Sequence, residues 1–107
     1  LFAGTESHGL YRSEDRGRNW ARLGADVIVD AVNAVLVSPE FPDKADILAM
    51  LSDRLLLSRN AGQSWTVRRE GIEPEEGLAC VAAPQGLEPG VPLLVGLVDG
   101  GVRRLAA

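Results

Sequence analysis

The residues in this chain whose types and spacing could do chemistry come as a pair of matched sets. Ser13, Asp15, Gly17 and Trp20 recur as Ser58, Asn60, Gly62 and Trp65, each forty-five residues on. A carboxylate two residues after a serine could serve as an acid or a metal ligand. It could also accept backbone N–H groups of its own turn. The second copy decides between these. Asn60 keeps the acceptor oxygen and discards the acidity, so a hairpin clamp survives the exchange and acid chemistry does not. In that reading Asp15 closes the turn and Ser13 adds a weaker bond. Gly17 supplies a left-handed residue without steric cost. Trp20 covers the hairpin and packs between neighbouring sheets. The bonds of Asn60 should be weaker than those of the charged Asp15.

Other groups invite chemistry less strongly. Arg12, Arg16, Arg18 and Arg22 crowd the first motif, and Tyr11 precedes it. Solvated turns and strand faces account for them. His8 sits in the polar turn Glu6-Ser7-His8-Gly9, where a lone imidazole reads as plain surface. Asp53 and Asp99 hold the corresponding turns further on, and Asp99-Gly100 is a hairpin signal in its own right. Glu70, Glu73, Glu75 and Glu76 could suggest calcium. Calcium wants 6–8 oxygens from an ordered loop, and Pro74 interrupts this run, so it reads as a solvated connector. The chain has no phosphate-cradling glycine loop, no HExxH, no CxxC and no GxSxG. No cofactor and no metal are expected.

Short strands must position these residues. Apolar and polar residues alternate over Gly9–Ser13 and Asn19–Leu23, the period of half-buried strands. Leu1–Thr5 precedes them. Val27-Ile28-Val29 could add a short extra strand. Val32–Ser38 is nearly continuous in apolar character, as for a strand covered on both faces. Ile47–Leu51, Arg54–Ser58 and Ser64–Arg69 follow. The last set is Leu78–Ala83, Leu93–Val98 and Gly101–Leu105. No helical period of useful length appears, with Ile47–Arg59 the ambiguous stretch. Lettering the strands of one unit A to D, the chain reads B-C-D over 1–23, A-B-C-D over 32–69 and A-B-C over 78–107. Repeats of about 40–50 residues with four strands each are the sequence signature of propeller blades.

Composition sets outer bounds. The 107 residues carry a net charge of −4 with Lys44 as the single lysine. No basic block is present to neutralise phosphates, so a nucleic-acid partner is not expected. No apolar run reaches the roughly 18–20 residues of a membrane span. The single cysteine, Cys80, cannot form an internal disulfide. Its apolar surroundings, Leu78–Ala83, suggest a buried structural thiol. The chain opens in what reads as a strand, which suggests an excerpt of something longer.

The motif Ser-x-Asp-x-Gly-x-x-Trp resembles the Asp-box, or BNR repeat, of sialidase-like β-propellers. The same hairpin occurs in sortilin-type receptors, in a photosystem II assembly factor and in many bacterial propellers. The first copy matches in full, the second carries Asn60 for Asp, and the third unit ends before its motif. The resemblance implies an all-β fold of four-stranded antiparallel blades, about two and a half of them. It places the B–C and D–A connections on the functional face, with Glu6, Ser7, His8, Asp53 and Asp99 in the candidate binding turns. Sialidase catalysis needs an arginine cluster, a Tyr–Glu pair and an acid/base Asp. Four of the ten arginines, Arg12, Arg16, Arg18 and Arg22, sit in or beside the first Asp-box, which in the family lies opposite that face, and no such pair is seen. A non-enzymatic scaffold or binding module is therefore expected, with a protein or glycan ligand. The alternatives are a sialidase-like hydrolase segment whose catalytic residues lie elsewhere, and a protein-assembly factor. Two and a half blades do not close a ring. The remaining blades would come from a longer chain or from other copies in a homo-oligomer. Three copies would give about seven or eight blades, judged by repeat length.

Overall fold

A computed structural model of the chain describes residues 1–69, 72 and 76–107. Among the described residues the secondary structure is all β, with ten strands in three antiparallel sheets and no helix. Sheet I holds β1 (Phe2–Gly4), β2 (Leu10–Arg12) and β3 (Ala21–Leu23). Sheet II holds β4 (Ala34–Val37), β5 (Ile47–Met50), β6 (Leu55–Ser58) and β7 (Thr66–Arg68). Sheet III holds β8 (Leu78–Ala82), β9 (Pro92–Leu97) and β10 (Val102–Ala106). Each sheet is a meander in which chain neighbours pair. Short polar turns joining apolar runs produce that order, because two antiparallel strands need only a few residues between them.

The side-chain period of two decides how the sheets pack. On β5 and β6 every residue is buried. Leu48, Met50, Leu55 and Leu57 turn one way and meet Leu78, Leu93, Val95, Leu97 and Leu105 of sheet III. Ala49 and Leu56, with Leu51 just beyond β5, turn the other way and meet Leu10, Ile28 and Val32 on the sheet I side. Sheet II is thus a wall shared by two cores. Each fully buried leucine here removes apolar surface worth roughly 1.5–3 kcal/mol from water.

Three expectations need correction. Val32–Ser38 reads as a strand covered on both faces, yet β4 is half-buried along its whole length. The doubly covered strands are β5 and β6. Val27–Val29 forms no strand. The amides of Val27 and Ile28 both donate to the Gly24 carbonyl, at 2.9 and 2.7 Å, which closes a turn. That turn drops Ile28 into the core between sheets I and II while leaving Val27 and Val29 exposed. Cys80 is exposed, not buried. The apolar run containing it belongs to a sheet packed on one face only. The register shift between Leu78 and Cys80 sets the thiol opposite Gly96.

Polar clasps join the sheets at the motif end. Arg59 pairs with the buried Asp46 at 3.2 Å and also donates to the Leu87 carbonyl, reaching from sheet II to the β8–β9 loop. Lys44 pairs with Glu88 of that loop and with Glu40 at 3.5 Å. The hydrogen bond between Lys44 and Glu88 raises the lysine's pKa and lowers the glutamate's. Both groups face water, so the pair contributes little stability. Between sheets I and II, Phe41 meets Phe2 edge to face at 5.5 Å, and the Arg12 guanidinium lies over both rings.

Candidate functional site

The two motif loops each carry a network of side-chain hydrogen bonds. They follow β2 and β6 and are built alike. In the first, the Ser13 hydroxyl accepts from the Gly17 amide at 2.7 Å and donates to Asp15 Oδ1 at 2.8 Å. Asp15 Oδ1 also accepts from the Asn19 amide at 2.8 Å, and Oδ2 accepts from Asn19 Nδ2 at 2.6 Å. In the second, the Ser58 hydroxyl accepts from the Gly62 amide and donates to Asn60 Oδ1, both at 2.9 Å. Asn60 Oδ1 also accepts from the Ser64 amide at 2.9 Å. Each indole N–H then donates to the carbonyl of its glycine, Trp20 to Gly17 at 3.0 Å and Trp65 to Gly62 at 3.1 Å.

The serine is the hub, not an auxiliary. It ties together the amide of the glycine and the side chain of the acid or amide. Two residues per loop, not one, take the left-handed conformation: Arg16 and Gly17 at φ of 63° and 90°, Ala61 and Gly62 at 61° and 93°. A left-handed arginine or alanine is disfavoured alone, and the serine-centred bonds hold it. The loops also differ in a compensated way. Asp15, acceptor only, faces the amide of Asn19. Asn60, which can donate, gives its Nδ2 hydrogen to the Ser64 hydroxyl at 2.8 Å. Asn19 and Ser64 escaped sequence reading, although both stand four residues after the acid or amide position.

These bonds fix the electrostatics of Asp15. The Asn19 backbone amide, then the Asn19 side chain and the Ser13 hydroxyl, hold its pKa down to about 2 from the ordinary 3.8. A carboxylate so held stays ionised at neutral pH and is unsuited to delivering a proton. It accepts hydrogen bonds instead.

The surroundings of the two loops differ. Trp65 packs into the core between sheets I and II. A Cβ added to Gly24 would lie 2.8 Å from its indole nitrogen, and one added to Gly62 would lie 2.8 Å from Leu23. The second loop therefore sits tightly on the Leu23-Gly24 end of sheet I. Trp20 has no such seat and is 43% exposed. A hollow of about 400 Å³ lies beside it, lined in part by Arg12, Glu14, Asp15 and Asn19.

The turns at Glu6–His8, Ser52–Asp53 and Asp99–Gly100 join the strands that precede each motif position. They lie at the end of their sheets opposite the motif loops. Glu6, Ser7 and His8 are exposed. Thr5, not singled out from sequence, organises their turn: its hydroxyl donates to the Gly9 carbonyl at 2.7 Å and accepts from the His8 amide at 2.9 Å. Ser7 and His8 Nδ1 share a hydrogen bond of 3.0 Å. Asp53 accepts from Arg54 at 3.2 Å. Asp99 accepts from the Gly101 amide at 2.9 Å, with Gly100 at φ 94°, as turn chemistry expects. Backbone bonds stitch this end together, Val32 to Thr5, Leu78 to Ser52 and Val98 to Gly77.

The arginines do not converge on one point. Arg12 lies on Phe2 and Phe41, Arg22 donates to the Ile28 carbonyl, and Arg54 pairs with Asp30 and Asp53. Of the acidic connector, Glu70, Glu73 and Glu75 lie outside the described residues, and Glu76 pairs with Arg103 at 2.9 Å. Among the described residues no group of three His, Cys, Asp or Glu could hold a metal ion, and no helix is long and apolar enough to cross a membrane. No protein-family model matches the chain, and neither a curated protein nor a solved structure is significantly similar to it.

Proposed function

We propose that this chain is a non-enzymatic β-propeller scaffold or binding module. Its Asp-box hairpins act as clamps, and a protein or glycan ligand is taken at the opposite end. The observation that carries the reading is the inward use of both boxes. Ser13, Asp15, Ser58 and Asn60 direct their hydrogen bonds to their own loops. That leaves recognition to the turns around Glu6–His8, Asp53 and Asp99. Three antiparallel sheets stacked in chain order support the blade reading.

The test is a glycan array, together with cross-linking to candidate proteins, comparing the wild type with a His8→Ala/Asp53→Ala/Asp99→Ala variant. Binding should be lost in the turn variant and kept in Asp15→Asn. Hydrolysis of a sialoside by the purified chain would overturn the reading, and so would binding indifferent to the turns but lost with the box.

A further inference from the structure

At the joint between sheets I and II, the outer strand β7 and the segment 24–30 border a groove. Leu56 pairs with Val67, and both Leu56 and Trp65 face the core on the sheet I side. Strand alternation puts Val67 on that face too, yet it is 48% exposed. The segment 24–30 runs along the same face. It begins against Trp65, whose indole nitrogen would lie 2.8 Å from a Cβ on Gly24, and it ends at Asp30, 3.7 Å from Arg54. Ile28 is buried in the core, while Val27 and Val29 on either side of it stay 41% and 62% exposed. Val27, Val29 and Val67 therefore line the groove without closing it.

The far end of the groove is charged. Leu55 pairs with Arg68, so Arg54 and Arg69 stand across from one another just beyond the last pair of β6 and β7. Continued alternation turns both towards sheet I, in keeping with the contact between Arg54 and Asp30. Like charges opposite each other across strands are unfavourable. Arg54 is compensated by Asp30 and also by Asp53, at 3.2 Å. The position of Arg69 differs: among the described residues its Nη2 atom is buried and meets no hydrogen-bond partner. A buried donor on a cation is costly without an acceptor. The group that matches a guanidinium fork is a carboxylate.

We infer that this groove seats an extended segment of a protein partner that carries an apolar residue and, two positions away, an aspartate or glutamate. Alternate residues of an extended chain point the same way. Val67 and Arg69, two residues apart at the end of β7, present the matching pair. The partner's apolar side chain lies on Val67 between Val27 and Val29, and its carboxylate takes the Arg69 guanidinium. The strand order of sheet II ends at β7, so its outer edge can pair with such a segment, as sheet edges commonly do with peptides. A glycan acid would match the guanidinium but leave the valines without an apolar partner. The groove stands independently of the propeller reading, since its residues lie on or between sheets I and II.

The test is selection from a phage-displayed library of random linear peptides, against the purified chain and an Arg69→Met variant, each shown to be folded by far-UV circular dichroism. The wild type should enrich peptides with Asp or Glu two positions from Val, Ile or Leu. Arg69→Met should lose the preference for the acid. Fluorescence anisotropy with the strongest peptide should show affinity falling at least about thirtyfold in Arg69→Met, as for losing one partner of a buried charge pair. Replacing the peptide's acid by its amide should do the same, and Val67→Ser should weaken binding about fivefold. Without peptide, the urea midpoint of Arg69→Met should equal or exceed that of the wild type, because an unpaired buried group is removed. No acid preference in the wild type, the same preference in Arg69→Met, or a clear fall in that variant's midpoint would each overturn the proposal. So would peptide binding that appears only once Glu70, Glu73 and Glu75 are replaced by glutamine, or capture of an acidic glycan through Arg69 with no peptide enriched. The His8→Ala/Asp53→Ala/Asp99→Ala test leaves Arg69 and the valines in place. Loss of turn-dependent binding therefore sinks only the proposed function, and failure of the peptide selection sinks only the groove.

Discussion

Replacing Ser58 by alanine should be the most damaging small change available in either motif loop. The Ser58 side chain is fully buried. It accepts from the Gly62 amide at 2.9 Å and donates to Asn60 Oδ1 at 2.9 Å. The Gly62 bond lies in a buried setting, and that amide has little access to water once the hydroxyl is gone. A buried donor left unsatisfied costs about 1–3 kcal/mol, and losing the Ser58–Asn60 bond adds about 1 kcal/mol. Together they predict a loss of about 2–4 kcal/mol, a large fraction of the roughly 5–15 kcal/mol that holds a domain folded. Ala61, at φ 61°, loses the bonds that hold it left-handed. The same change at Ser13 should cost less, because Gly17 is only half-buried and water can reach its amide. Urea unfolding followed by tryptophan fluorescence measures both. The midpoint should fall for Ser58→Ala with the slope unchanged, and by more than for Ser13→Ala. A Ser58→Ala loss below about 0.5 kcal/mol, within the usual range for surface substitutions, would refute the reasoning. So would equal losses at the two serines.

Three further outcomes follow from the same loops and joints. Asp15 has a folded pKa of about 2 against an ordinary 3.8. Its contribution to stability is therefore fully present above the ordinary value and is lost as pH falls through about 2. The stability difference between wild type and Asp15→Asn, read from acid-limb unfolding curves, should shrink over that window and stay constant above pH 5; a difference that grows on acidification would contradict the assignment. Asn60→Asp should leave the second loop closed, since the Ser64 hydroxyl can turn to donate. It should change the urea midpoint by no more than about 1 kcal/mol, in the stabilising direction if charge assistance prevails; a clear loss would show that the Asn60 Nδ2 bond matters more than the acceptor. Gly24→Ala should destabilise by about 1–3 kcal/mol. Gly24 is left-handed at φ 59°, and the new Cβ would lie 2.8 Å from Trp65 Nε1 and 2.9 Å from Ile28 Cδ1. A shift in Trp65 emission should accompany the loss, and an unchanged midpoint would show that the joint is looser than described.

Much of the strand order was legible because local rules place it. Asp99-Gly100 ends β9 through a side-chain bond to Gly101 that depends only on neighbouring residues. The forty-five-residue spacing carried the strand pattern of the first motif onto the second. What escaped depended on distant partners. Ile28 looks like its neighbours Val27 and Val29, and only the turn onto Gly24 selects it for the core. Cys80 sits in an apolar run, but burial there requires a second sheet over it. Arg16 and Ala61 carry no mark of a left-handed backbone, since the serine hub imposes it. Trp20 and Trp65 are the sharpest case: the same loop and the same indole bond, with burial set entirely by whether another sheet lies alongside. The candidate binding turns are visible as turns, while Thr5, which closes the first of them, looks in sequence like the end of a strand.

Because both cores are built on opposite faces of sheet II, the outer sheets depend on it more than it depends on either of them. Opening sheet I would bare Ala49, Leu51 and Leu56 but leave Leu48, Met50, Leu55 and Leu57 covered, and opening sheet III would do the reverse. Amide hydrogen exchange would then follow a gradient, fastest at the strands of the flanking sheets and slowest at β5 and β6, whose exchange requires both cores to come apart. Cooperativity passes from one end of the chain to the other through a single pair of strands, so a substitution at Leu48 or Leu56 would be felt beyond its own face, and one at Leu10 or Leu105 would remain nearer home.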